Sequence, residues 1–308
     1  MPKERGANSP KPPFPLDPRG IPHLAPEDVH ELLDRWFSSF PATTLQELPA
    51  VPHGRALVFG DTHSDWPTVE ALSREAMTPQ GPLTHLVGLG DYVDRTLPEL
   101  PHGSVVNALF LLSLRLCHPD RVVLLRGNHE TQHLIPILRP EAVDESDELW
   151  GRESGVGRRI EQAFDRLPLM ATTESGGYLA HAGFPRERNP KGWKTHLDAR
   201  SLKLLEEVVW NDLEVSSFSG GRGLEISPIS QAETLEFLSQ AGCSVFLRGH
   251  DPTEAGKARY DNRVLTLHTS RVYDWAGLHV AELPLDGRVR DLRDVRCRRI
   301  EPPPIPTP

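Results

Sequence analysis

The chain has 308 residues, 38% of them apolar and 25% charged, proportions that suit an ordinary soluble globular protein and exclude global disorder. Its net charge of -9 argues against a large electrostatic footprint for DNA or RNA, because non-specific binding to a polyanion needs clustered Lys and Arg. A phosphate-bearing protein or small molecule stays open where cations are concentrated locally.

The three cysteines, Cys117, Cys243 and Cys297, are far apart, odd in number and without C-x-x-C spacing. They read as reduced thiols in the core of a cytoplasmic protein. Met1 to Pro15 has no apolar core of the secretory type. The longest apolar run, Ala108 to Cys117, is broken by Arg115 and is too short to span a bilayer. The expectation is therefore a cytoplasmic protein with no membrane segment.

Residues 1–26 are crowded with Pro, and 301–308 read Glu-Pro-Pro-Pro-Ile-Pro-Thr-Pro. Both are expected to be flexible tails, capable at most of a weak contact with an aromatic-grooved partner. Between them, residues 27–300 are expected to form one catalytic domain. A short amphipathic helix, Pro26 to Phe37, precedes a first strand, Arg55 to Phe59. An alternation follows: helix Asp65 to Ala76, strand Thr84 to Leu89, helix Ser104 to Cys117 and strand Arg121 to Leu125. Strands interleaved with helices of this length predict βαβ units. Glu141 to Gly157 reads as a surface loop or short helix, and Ser216 to Ser227 as a Ser/Gly-rich loop. Beyond Pro168, β-like runs at Tyr178–Ala180, Val245–Leu247, Arg263–Leu267, Gly277–Leu283 and Val289–Arg296 predict a second, mixed sheet packed on the first. The fold class expected is α/β, two packed mixed sheets flanked by helices.

Five of the apolar runs end in potential metal ligands: Gly60-Asp61-Thr62-His63, Gly90-Asp91-Tyr92-Val93-Asp94-Arg95, Gly127-Asn128-His129-Glu130, His181-Ala182-Gly183 and Arg248-Gly249-His250. Strand carboxyl ends in an open α/β sheet converge on one crevice, so these clusters can meet. Asp61 and His63, two apart in an extended turn, can point the same way and share a cation. Asp91 supplies a second carboxylate able to bridge two cations, although an Asp at a strand end also serves as a turn or cap residue. Asn128 and His129 are neighbours on an extended backbone, so one can hold metal while the other faces substrate. Taken with His181 and His250, the set offers three imidazoles, two carboxylates and one amide oxygen. That mixture suits Mn, Fe or Zn better than Ca or Mg. Two divalent cations bring more positive charge than two aspartates and a bridging hydroxide remove, so the remainder attracts an anion such as phosphate. Paired metals can also activate a water for in-line attack on phosphorus.

These motifs, G-D-x-H, G-D-x-V-D-R and G-N-H-E, resemble those of the phosphoprotein phosphatases, the metal-dependent serine/threonine phosphatases of the calcineurin-like metallophosphoesterase group. Weaker likeness continues through Arg166-Leu167-Pro168-Leu169, His181-Ala182-Gly183, Val209-Trp210-Asn211-Asp212 and Arg248-Gly249-His250. The resemblance implies that Asp61, His63 and Asp91 hold one metal, and that Asp91, Asn128, His181 and His250 hold the other. It also implies that His129 protonates the leaving alkoxide and that Asp94 orients its imidazole. Arg95 corresponds to half of a phosphate clamp, and Arg222 is the candidate for the other half, with Asn128 close to the phosphate. Arg248 is taken as structural.

Departures from the family pattern look like a bacterial-type member. Ser64 and Thr96 replace Gly, which could narrow the cleft, and Ala182 replaces the middle Gly of H-G-G. Leu267 to Tyr273 stands where the eukaryotic enzymes carry S-A-P-N-Y, which removes the tyrosine wall of the protein-substrate groove. The leading expectation is hydrolysis of phosphomonoesters in phosphorylated proteins. A dinucleoside tetraphosphatase, or another small-molecule phosphoesterase, shares the metal motifs and differs in the pocket. A catalytically dead phosphoprotein-binding module predicts a missing ligand or acid, and none is missing.

Overall fold

The computed structural model describes residues 15–78, 81–138, 140–186, 201–217 and 228–306. Along the chain run α1 (Pro26–Ser39), β1 (Leu45–Leu48), β2 (Arg55–Phe59), α2 (Trp66–Ala76), β3 (Leu83–Gly88), α3 (Gly103–Cys117), β4 (Val122–Leu124), α4 (Ala142–Trp150) and α5 (Val156–Phe164). They are followed by β5 (Met170–Thr173), β6 (Gly177–Ala180), α6 (Leu202–Val209), α7 (Gln231–Ala241), β7 (Val245–Arg248), β8 (Ala258–Arg259), β9 (Val264–Thr266), β10 (Leu278–Pro284) and β11 (Arg296–Ile300). The expected βαβ units are present: β2, β3 and β4 are parallel neighbours, joined through α2 and α3.

Two mixed sheets result, in the orders β11-β10-β2-β3-β4 and β1-β5-β6-β7-β9-β8. Their packing follows from strand alternation. Ala56 and Val58 of β2 enter a core shared with Leu179, Val245, Leu247 and Leu265 of the other sheet, while Leu57 and Phe59 face the helices. In β6 and β7 the same period sends Tyr178 and Phe246 outward, against Leu205, Val208 and Phe237 of α6 and α7. The molecule is thus helices, sheet, sheet, helices.

Several expectations change. Residues 15–24 are not a loose tail: Leu16 N donates to Ser113 Oγ at 3.0 Å and Ile21 is fully buried, because an isoleucine and a leucine among the prolines find the apolar side of α3. Ile305, within the expected C-terminal tail, also packs against the core. Residues 1–14 and 307–308 lie outside the described residues. The strand expected at Val289–Arg296 starts only at Arg296, since the Asp291 and Asp294 side chains accept from nearby backbone nitrogens and wind 292–294 into a 3-10 turn. Glu141 to Gly157 holds α4, a short 3-10 turn and the start of α5. None of the three cysteines is in a disulfide, but Cys297 is exposed on β11 and the other two are half-buried, so none is a full core residue.

Candidate metal centre and catalytic dyad

The parallel strands β2, β3 and β4 of one sheet, and β6 and β7 of the other, end on a common seam. Beyond those ends lie Asp61 and His63, Asp91 to Arg95, Asn128 and His129, His181, and His250. The turns that follow the strands are tight enough to need glycine. A Cβ on Gly127 would meet Asp91 Oδ1 at 2.3 Å, and one on Gly249 would meet Asp61 Oδ1 at 2.3 Å. Five side-chain-bearing residues, His63, Asp91, Asp94, Arg95 and His250, are themselves held at positive φ. Such backbone costs about 1–3 kcal/mol per residue and persists only where surroundings enforce it. At Asp91 the enforcement comes from Glu130, whose buried carboxylate accepts from Asp91 N, Tyr92 N and Gly127 N, each at 2.8 Å. Burial and the neighbouring Asp91 push the Glu130 pKa up to about 8, against those three donors.

Ring orientation is set by carbonyls. His63 Nδ1 lies 2.9 Å from Val93 O, and His181 Nδ1 lies 3.0 Å from Leu89 O. A carbonyl only accepts, so both Nδ1 atoms carry the proton and both Nε2 atoms present lone pairs. Burial lowers the pKa of His63 well below its ordinary value and that of His181 to about 4, which keeps both rings neutral near pH 7. His181 Nε2 then faces Asn128 Oδ1 at 2.9 Å, His250 Nδ1 at 3.2 Å and Asp91 Oδ1 at 3.4 Å, while His250 Nδ1 is 3.0 Å from Asn128 Oδ1. Electron pairs converge there from several groups, and a cation is the species that all of them can share. Asp91, His181 and His250 offer ligand atoms within 4.8 Å of one another, and so do His63, Asp91 and His129.

Asp61 joins the same cluster: its Oδ1 accepts from His250 N at 2.8 Å and stands 3.9 Å from His181 Nδ1. Burial raises its pKa to about 6, against the pull of His181, and burial raises that of Asp91 too. Two carboxylates forced to be less acidic, beside neutral imidazoles, make a donor set that a divalent cation relieves. The residues present therefore fit a metal centre.

Beside it, His129 Nδ1 lies 2.7 Å from Asp94 Oδ2, and Nε2 lies 3.9 Å from Asp91 Oδ2. Burial pulls the His129 pKa down, but the carboxylates of Asp91 and Asp94 outweigh it and the net shift is upward. Asp94 is fixed in turn, its Oδ1 accepting from Glu141 N and Ala142 N at the start of α4.

Arg95 is exposed next to this dyad and its guanidinium donates to the Tyr273 hydroxyl while lying over that ring, 5.3 Å from its centroid. This corrects the expectation that the tyrosine wall is lost, because the loop without S-A-P-N-Y still delivers Tyr273 to the site. Ser64 and Thr96, two of the departures from Gly, are hydrogen-bonded beside the site. Ser64 Oγ donates to Arg95 O and accepts from Leu97 N, and Thr96 hydrogen-bonds Glu141, Glu145 and Ser104, so both tie down the Arg95 loop. Arg248 is fully buried, its guanidinium donating to Ala182 O and Asn211 O. Arg222 lies outside the described residues.

Residues given no role from the sequence also stand at the site. Asn107 Nδ2 donates to Thr62 Oγ1, His63 O and Tyr92 O. Its signal was a lone amide inside the apolar run of α3. Asp212 Oδ1 stands 3.8 Å from His250 Nε2, and His268 Nδ1 stands 3.9 Å from Asp61 Oδ2.

Known proteins resemble this chain at two levels. A probable serine/threonine-protein phosphatase of Encephalitozoon cuniculi is 27% identical over 228 residues, 72% of this chain and 48% of that protein. The serine/threonine-protein phosphatase BSL2 of Arabidopsis thaliana is 26% identical over 267 residues, 80% of this chain and 25% of that protein. The chain thus spans about half the length of the first and a quarter of the second. Among solved structures, a serine/threonine phosphatase of Saccharomyces cerevisiae with similarity to human phosphatase PP5 superposes with a TM-score of 0.72 at 23% identity, over 92% of each chain. A cold-active protein-tyrosine phosphatase of a Shewanella species superposes with a TM-score of 0.51 at 15% identity, over 82% of this chain and 78% of its own. Both structural likenesses establish the two-sheet fold. Residues 54–254, from the start of the first long strand to the turn after His250, match the calcineurin-like phosphoesterases, and the chain belongs to that family.

Proposed function

We propose that this protein is a metal-dependent phosphomonoester hydrolase whose substrates are phosphoserine or phosphothreonine in proteins. The single observation that carries the reading is the juxtaposition of the lone-pair cluster around Asp91, Asn128, His181 and His250 with the Asp94–His129 pair and Arg95. Asp61, His63 and Asp91 would hold one divalent ion and Asp91, Asn128, His181 and His250 the second, with Mn the first choice and Fe or Zn the alternatives. When bound, the ions supply an activated water and offset charge on the phosphoryl oxygens.

The chain's own groups do the rest. Arg95, steadied by Tyr273, binds phosphate oxygens through its guanidinium fork. Arg222 is the proposed second arm of that clamp. His129, with its proton held on the ring by Asp94 and Asp91, delivers it to the departing serine or threonine alkoxide, which is too basic to leave unassisted. Resemblance in sequence to two serine/threonine phosphatases supports the substrate class, and three cysteines outside any disulfide support a reducing, cytoplasmic setting.

The test is turnover of phosphoserine, phosphothreonine and phosphotyrosine peptides, with a dinucleoside tetraphosphate alongside, after chelation and separate reloading with Mn, Fe or Zn. Release of phosphate from the first two peptides, lost on chelation and restored by metal, is expected. Exclusive cleavage of the dinucleotide would overturn the substrate class, and no hydrolysis under any metal would overturn the activity.

A further inference from the structure

His268 has no part in the roles given above. Its backbone extends β9 into a parallel bridge with Asp61, with Thr269 N donating to Asp61 O at 2.9 Å and His279 N to His268 O at 2.6 Å. The ring is therefore rooted between the extension of β2 and strand β10. The residue is 1% exposed; neither ring nitrogen makes a well-formed hydrogen bond among the described residues, and the ring's backbone contact is with Ser270, two residues on. By contrast, His63, His129 and His181 each have Nδ1 anchored on a carbonyl or carboxylate.

Buried polar atoms are nearly always satisfied, and the Ser270 backbone can serve one nitrogen at most, so at least one ring nitrogen requires a further partner. The ring stands against the edge of the candidate metal centre. Its Nδ1 is 3.9 Å from Asp61 Oδ2, too far for a hydrogen bond. That gap nevertheless suits two ligands of one ion, since bonds of about 2.1 Å place two donors no more than about 4.2 Å apart. The other Asp61 oxygen, Oδ1, already accepts from His250 N, which leaves Oδ2 as the edge turned toward His268.

We propose that His268 is a further ligand of the divalent cation held by Asp61, His63 and Asp91, closing that coordination sphere from the β9 side; this rests on the dimetal reading of the site. A neutral nitrogen there adds affinity without adding charge, and it tilts the site toward Mn, Fe or Zn and away from Mg and Ca.

The test compares the full chain, His268→Phe and Asp91→Asn by calorimetric titration of the chelated proteins with Mn(II). Phe removes both nitrogens and keeps a flat ring in place. The wild type should take two ions, and His268→Phe should retain one at unchanged affinity while binding the other about 10- to 100-fold more weakly. Two ions held by His268→Phe as tightly as by the wild type would overturn the proposal. Fewer than two ions on the wild type, or full occupancy in Asp91→Asn, would instead bring down the dimetal reading and the His268 proposal with it. Should His268→Phe fail to fold, the wild type labelled with 15N-histidine answers the same question. Its His268 ring nitrogens, identified by their loss in His268→Gln, should move on titration with Zn(II), and resonances that stay in place would overturn the proposal.

Discussion

His129 sits between two carboxylates that work against the cost of burying its charge, and the balance raises its pKa. A raised value keeps the imidazolium, the form that donates a proton, present to higher pH. His129→Asn should leave metal content unchanged and lower kcat on a phosphoserine peptide by about 100- to 10,000-fold. On an aryl phosphate, whose leaving group needs little protonation, the loss should be much smaller. Asp94→Asn removes one of the groups holding the pKa up, so the alkaline limb of kcat against pH should move to lower pH. Equal losses on both substrates, or an unmoved limb, would sink the general-acid role. His129 and Asp94 were legible in the sequence because G-N-H-E and G-D-x-V-D-R each carry several chemically committed residues at fixed spacing. Tyr273 was not, because its position depends on how the loop after β9 folds back over Arg95. His268 was missed for a related reason: a lone histidine after an apolar run has no partner within its own segment, and its neighbour Asp61 lies on a different sheet.

Helices α3 and α4 are more than packing around the parallel strands. Helix α3 is buried along nearly its whole length, yet carries Asn107, whose amide donates to the Thr62 hydroxyl and to the backbone carbonyls of His63 and Tyr92, in the turns after β2 and β3. Asn107→Ala strands those acceptors in the interior. It should lower unfolding free energy by about 1–3 kcal/mol, read from the midpoint of a urea transition, and weaken metal binding through the freed His63 turn. A variant as stable as the wild type would show that the amide is dispensable. Helix α4 contributes the two backbone nitrogens that hold Asp94, a helix N-terminus meeting a carboxylate. Strands β2, β3 and β4 were readable because short apolar runs ended in Gly-Asp or Gly-Asn turns. Strands β1 and β5 escaped because Leu-Gln-Glu-Leu and Met-Ala-Thr-Thr are short and half polar; β1 is a strand through its pairing with β5, and β5 through pairing with β1 and β6. The C-terminal strand was displaced by several residues because the Asp291 and Asp294 side chains compete for backbone donors that a ladder would otherwise use.

At the scale of the molecule, packing two sheets face to face brings candidate ligands from five strand ends into one buried cluster, at the cost of burying carboxylates whose desolvation His129 and Arg95 only partly offset. That cost is visible in Asp61, whose pKa burial raises to about 6, and in Asp91, shifted the same way. The imidazoles shift oppositely, His181 to about 4 and His63 well below its ordinary value, so they remain neutral where the aspartates begin to take up protons. The sign for metal binding follows. Above about pH 6 Asp61 is ionised and a cation binds without displacing its proton, whereas below it each binding event must expel one. Affinity for Mn(II) should therefore be nearly flat from pH 7 upward and fall at least about tenfold per pH unit below pH 6, more steeply where Asp91 is also protonated. Titration of the chelated protein with Mn(II) between pH 5 and 8, at constant ionic strength, gives the slope. Asp61→Asn separates the contributions: it should bind more weakly at neutral pH but lose less on acidification, since the proton it would have exchanged is gone. A wild-type affinity that stayed constant down to pH 5 would mean that the carboxylates are not the groups that meet the ion.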